Sequence, residues 1–93
     1  MNELEVWTYI KSVLEKPIPY VGYTYGICGY IQDLFDTDQI DLKTYKHLVF
    51  EMNTYKNRNM IRSVYFWPLD KEGQKERIEF CNKQIERLTS LAI

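Results

Sequence analysis

Arg58, Arg62 and Arg77, taken with Gly26 and Gly29, are the residues of this chain closest to a chemical site. Guanidinium groups grip phosphate as planar forks, and backbone amides left uncovered by glycine let an anion approach closely. Such a set would hold a small anionic ligand, for example a cyclic nucleotide, with a tyrosine stacked on its base. The segment Gly22-Tyr-Thr-Tyr-Gly26 precedes a predicted helix whose N-terminus could receive that anion. It lacks a lysine and a preceding strand, so it is not a phosphate loop.

Catalytic chemistry finds less support. The chain has no Walker loop, no G-x-S-x-G, no H-E-x-x-H and no Cys/His cluster. It reads as a non-enzyme, with no catalytic residue and no cofactor. His47, the sole histidine, falls off the apolar face of its predicted helix and reads as a surface residue without a role. Asp33, Asp36, Asp38 and Asp41 suggest calcium, but counting an EF-hand loop from Asp36 puts Ile40 at the fifth position, Asp41 at the sixth and His47 at the twelfth. Those places need an oxygen ligand, glycine and glutamate, so capping explains the aspartates better and no metal site is expected. Cys28 and Cys81 fall on predicted apolar faces and read as reduced, buried thiols.

Aromatic side chains offer a different chemistry. Tyr9, Tyr20, Tyr23, Tyr25, Tyr30, Tyr65 and Trp67 exceed what short core faces need. Tyrosine, tryptophan and arginine dominate interface hot spots because they bring large contact area at small entropic cost. Tyr23, Tyr25, Tyr30, Arg58, Arg62, Tyr65 and Trp67 are therefore the expected partner-binding residues. Charge is segregated as well: residues 33–41 hold four aspartates and no base, whereas 43–62 hold Lys43, Lys46, Lys56, Arg58 and Arg62 against Glu51. A solvated face, a dipolar docking surface and a basic pocket are the three readings of that pattern.

The elements that must position these residues are helical. Val6, Trp7, Ile10, Val13 and Leu14 share one face of a helix over about Glu3–Lys16, stopped by Pro17. A Gly/Tyr-rich turn follows. A second helix is expected over about Tyr25–Asp36, capped by Thr24, with Ile27, Cys28, Ile31, Leu34 and Phe35 inward. Gly22, Gly26 and Gly29 would form a stripe without side chains if that helix extended back, for close helix packing or for a ligand. Asp41 should cap a third helix over about Leu42–Lys56, with Ile40 and Tyr45 as a hydrophobic staple and Leu42, Tyr45, Leu48, Val49, Met52 and Tyr55 on its apolar face. Residues 60–67 read as a short helix or ordered loop ended by Pro68. Asp70 should cap a last helix over about Lys71–Leu91, with Ile78, Cys81, Ile85, Leu88 and Ala92 as its stripe, widened by Phe80 and Leu91.

The result is an all-α single domain spanning 1–93, a bundle of four main helices. Forty-five per cent hydrophobic content supports a core, and a net charge of −1 argues against a general nucleic-acid binder, leaving only weak binding through 43–62. No apolar run reaches the roughly 20 residues of a membrane span, and the acidic start does not resemble a secretory signal. Self-association through the last helix stays open, since three heptads are too few for a coiled coil.

Phe66-Trp-Pro-Leu-Asp-Lys-Glu-Gly-Gln-Lys-Glu-Arg-Ile-Glu-Phe80 together with Tyr25-Gly-Ile-Cys-Gly-Tyr-Ile resembles a loose group of small uncharacterised bacteriophage proteins. These share a G-x-C helix, then W-P, a glycine and R-x-x-F, matched here by Gly26, Cys28, Trp67, Pro68, Gly73, Arg77 and Phe80. The resemblance implies a phage protein acting in the host cytoplasm, and small proteins of that kind inhibit host functions, including defence systems such as CRISPR or nucleotide signalling. It carries over no catalytic residue.

Overall fold

A computed structural model of the chain describes residues 1–16, 27–54, 57 and 71–91. Within them lie four helices: α1 (Glu3–Leu14), α2 (Ile27–Asp36), α3 (Leu42–Met52) and α4 (Lys71–Leu91). No strand occurs among the described residues. The described residues form an all-α bundle of four main helices. The Gly/Tyr-rich turn, Thr24, the segment 60–67 and Asp70 lie outside the described residues.

Helix α1 begins where Asn2 and Glu5 close a capping box. The Asn2 side chain accepts from the Glu5 backbone N–H at 2.8 Å, and the Glu5 carboxylate accepts from Asn2 N–H at 3.1 Å. Two of the helix's orphan donors are thereby satisfied. The helix stops two residues short of the expected Lys16. There the Lys16 N–H turns back to Val13 O at 3.2 Å, and the Gln74 side chain of α4 donates to Leu14 O at 2.5 Å and Lys16 O at 3.1 Å. A distant amide thus takes up carbonyls that a helix end leaves bare.

Helices α2 and α3 form a hairpin through residues 37–41. The end of α2 is a Schellman motif: Gln39 N–H reaches Leu34 O at 2.8 Å, and Asp38 N–H reaches Phe35 O at 3.1 Å. Asp38 accordingly takes φ 60°, the left-handed conformation usually left to glycine. Replacing Asp38 with glycine should stabilise the fold by about 0.5–1 kcal/mol, the relieved backbone strain outweighing the looser unfolded chain. Calorimetry would read this as a rise in Tm of about 2–8 °C.

Asp41 then caps α3, its carboxylate accepting from Thr44 N–H at 2.7 Å. That backbone hydrogen bond holds the Asp41 carboxyl below its ordinary value of 3.8. A depressed pKa means the cap stabilises above the ordinary carboxylate range and is lost as pH falls through the lowered value. Asp41→Ala should therefore melt below the wild type at pH 7, and the gap should narrow as pH falls below the ordinary carboxylate range. Of the four aspartates, Asp41 caps as expected and Asp38 makes the turn, while Asp33 and Asp36 lie within α2 and the Asp36 carboxylate accepts from the Gln32 amide at 2.9 Å. Phe35 stacks on Tyr45 at 4.6 Å, and the Tyr45 hydroxyl donates to Gln32 Oε1 at 2.5 Å, tying the hairpin.

Helix α3 ends at Met52, before the expected Lys56. The Asn53 side chain donates to Val49 O at 2.9 Å and the Thr54 hydroxyl to Glu51 O at 3.1 Å, so local side chains satisfy the last carbonyls. Helix α4 has the expected bounds and runs antiparallel to α1, with Gln74 beside Leu14 and Arg87 beside Glu3. Trp7 of α1 meets Phe80 of α4 edge to face at 5.5 Å, and both are buried. Around that pair gather Val6, Ile10, Leu14, Ile27, Ile31, Leu34, Ile40, Leu48, Met52 and Cys81.

Three expectations about faces need correcting. On α4, Phe80 and Cys81 are buried and Ile78, Ile85 and Leu88 pack against the core as expected, but Leu91 is exposed and the buried face also takes in Gly73 and Arg77. Leu42, assigned to the apolar face of α3, is half exposed because it sits in the first turn, beyond the core. Cys28 is partly exposed, while Cys81 is fully buried as expected.

Candidate functional site

Of the residues expected to bind a partner, only Tyr30 is described. It is buried in α2 as part of the core, so it does not belong to an exposed aromatic patch. Its phenol ring is carried inward because position 30 shares the helix face of Ile27, Ile31 and Leu34. Tyr23, Tyr25, Arg58, Arg62, Tyr65 and Trp67 lie outside the described residues.

The anion-binding set is placed similarly. Gly26, Arg58 and Arg62 lie outside the described residues, and Gly29 is partly exposed within α2. Arg77 has no accessible surface and is engaged within the fold, so its guanidinium does not face an external ligand. An open groove of about 370 Å³ runs between α1 and the end of α2, lined by Met1, Tyr9, Asp33, Leu34, Thr37 and Gln39. The Met1 ammonium in it already donates to Gln39 O at 2.7 Å, and the Thr37 hydroxyl to Asp33 O at 2.9 Å. With a carboxylate at its edge, this groove is poorly suited to phosphate.

His47 is exposed, as expected, but it has a role. Its Nε2 lies 3.5 Å from Glu3 Oε2, while Glu3 Oε1 accepts from Arg87 Nη2 at 2.9 Å. One carboxylate of α1 thus reaches both α3 and α4. The arrangement is an orienting clamp without a nucleophile beside it. Cys81 cannot supply one, since burial pushes its thiol up to about 12 and keeps it protonated at neutral pH. Among the described residues no three His, Cys, Asp or Glu side chains come together to hold a metal. No helix of the described chain is long and apolar enough to cross a membrane.

What the fold leaves uncovered is the outer face of α3. Phe50 is 70% exposed, more than any other described aromatic residue, and Leu42 is 50% exposed. At 100° per residue, Leu42, Lys46, Phe50, Lys43 and His47 fall within an arc of about 140°, opposite buried Leu48 and Met52. Lys43 and Lys46 are exposed and in no salt bridge among the described residues. The signal for Phe50 was present in the periodicity: it falls outside the apolar face drawn through Leu48, Val49 and Met52. A search confined to tyrosine and tryptophan passes over it.

Comparison with family models, with curated proteins and with solved structures finds no match for this chain.

Proposed function

We propose that this chain is a non-enzymatic bacteriophage protein that binds and inhibits a host protein, a component of bacterial defence in particular. One observation carries the reading: α3 turns a leucine and a phenylalanine outward beside two lysines while its other face fills the core. Exposed large apolar side chains grouped on one element, rimmed by polar groups, are the mark of a protein-binding surface. The phage origin rests on the G-x-C and W-P…R-x-x-F resemblance, and inhibition in the host cytoplasm on the habits of small phage proteins.

The test is in the host. Tagged wild-type chain and a Phe50→Asp variant are expressed during phage challenge, cross-linked and purified. The wild type should recover one host protein in near-stoichiometric amount, suppress its activity, and lose both on substitution of Phe50. A wild type that recovers no specific protein, or one recovered equally with Phe50→Asp, contradicts the proposal.

A further inference from the structure

The outer face of α3 has a charge and a spacing that define the kind of partner it fits. Resting on the protein-binding reading above, we infer that this face docks against an acidic amphipathic helix of the partner. Its apolar seam covers Leu42 and Phe50, and its flanking Asp or Glu side chains meet Lys43 and Lys46.

Spacing comes first. Leu42, Lys46 and Phe50 stand at i, i+4 and i+8, the ridge that packs into the groove of a second helix. Two steps of four residues separate the apolar anchors by about 12 Å along the axis. Between them Lys46 lays its methylene stem on the apolar surface and carries its ammonium to the rim. A strand would need a free sheet edge to pair with, and the described residues offer none.

Charge decides the sign of the partner. Of the carboxylates around this face, Asp41 is engaged by the Thr44 N–H and Glu3 by Arg87 and His47, while Glu51 lies outside the arc, beyond His47. Lys43 acts on Asp41 at the margin, whereas Lys46, in the middle of the ridge, has no salt-bridge partner among the described residues. The arc therefore carries two lysines and no carboxylate of its own around two apolar anchors. A polyanion such as DNA is a worse fit than a short acidic helix. Two lysines release few counterions, and a long duplex would also meet the exposed Asp33, Asp36 and Asp38 of the neighbouring α2 end.

The test uses the full chain and three fluorescent probes: a helical peptide with a leucine seam flanked by glutamates, the same peptide with lysines in their place, and a 20-base-pair DNA duplex. Anisotropy at low salt should show the glutamate peptide binding about tenfold or more tightly than the lysine peptide, weakening as salt is raised. Phe50→Ser should weaken it by about tenfold or more, as loss of a central anchor does. The double variant Lys43→Glu, Lys46→Glu should reverse the preference between the peptides. Far-UV circular dichroism confirms that these exposed substitutions leave the helices intact. Equal binding of both peptides, binding of neither, or displacement of the glutamate peptide by the duplex would overturn the inference.

A photo-crosslinking residue in place of Phe50, used in infected cells, separates this from the broader proposal. A host protein cross-linked there while both peptides fail leaves the inhibitor reading standing and removes the acidic helix. Selective binding of the glutamate peptide with no host protein cross-linked supports the docking chemistry and counts against the inhibitor reading.

Discussion

Trp7→Ala should cost about 3–5 kcal/mol of folding stability, the usual toll of deleting a large aromatic side chain from a core. Trp7 has no accessible surface, packs edge to face on Phe80, and joins the longest pair of neighbouring helices, α1 and α4. Its indole N–H sits at 3.5 Å from Glu3 Oε1, a weak contact, so nearly all of the loss is burial and packing. A domain of this length holds about 5–14 kcal/mol in total, so the variant would stand near the edge of folding. Urea titration followed by circular dichroism should place its midpoint about 2 M lower, given a slope of about 2 kcal/mol per M. Trp7→Phe keeps a ring against Phe80 and should lose less than half as much. A Trp7→Ala midpoint within about 0.3 M of wild type, roughly 0.6 kcal/mol at that slope, would show that the α1–α4 seam is not the main core.

The second large effect is expected at Arg77. A guanidinium with no accessible surface persists only when its desolvation is offset by partners, and Arg77 is engaged within the fold. Arg77→Ala removes those interactions and opens a cavity, and should cost about 3–5 kcal/mol. The informative variant is Arg77→Met, which retains most of the side chain's volume. If Arg77 serves mainly as filler, the methionine should fold almost as well as wild type. Loss of the guanidinium leaves the buried groups it engages unsatisfied, so Arg77→Met should still cost about 1–3 kcal/mol. Equilibrium unfolding of the two variants side by side distinguishes the cases.

These two residues also show how far the chain could be read without coordinates. The face of α1 was legible because Val6, Trp7, Ile10 and Leu14 repeat at helical spacing and all four are buried. The ends of α4 and the Asp41 cap were legible for equally local reasons. The seam of α4 was legible only in part: Phe80, Cys81, Ile78, Ile85 and Leu88 do pack on the core, but Gly73 and Arg77, which complete the buried face, carry no apolar signal. Gln74 at the end of α1 and Glu3 beside Arg87 are pairings of residues 60 and 84 positions apart, which no local pattern can announce. The capping box at Asn2 and Glu5 is a different case: its Asn-x-x-Glu spacing is plain, yet treating Glu3 and Glu5 only as charges on the helix dipole overlooks it. The candidate site was the least legible part. Tyrosine 30 went inward and Phe50 outward, and both follow from their angular positions rather than from being aromatic.

The distances along the chain between contacting helices have a kinetic meaning. Helices α2 and α3 are tied by Phe35–Tyr45 and Gln32–Tyr45, residues 10 and 13 apart, across a connection already bent by Asp38 and capped by Asp41. The α1–α4 seam must instead close loops of about 60 to 84 residues before it gains any contact energy. Formation of the α2–α3 hairpin should therefore precede the seam on the way to the native state. Substitutions in the Phe35–Tyr45 stack should slow folding, whereas substitutions at Trp7 should act chiefly by speeding unfolding. Stopped-flow chevrons of Tyr45→Leu and Trp7→Phe would assign each change to its limb, and the reverse assignment would place the nucleus in α1 and α4. The long helix that anchors the finished core would then be the last to find its place.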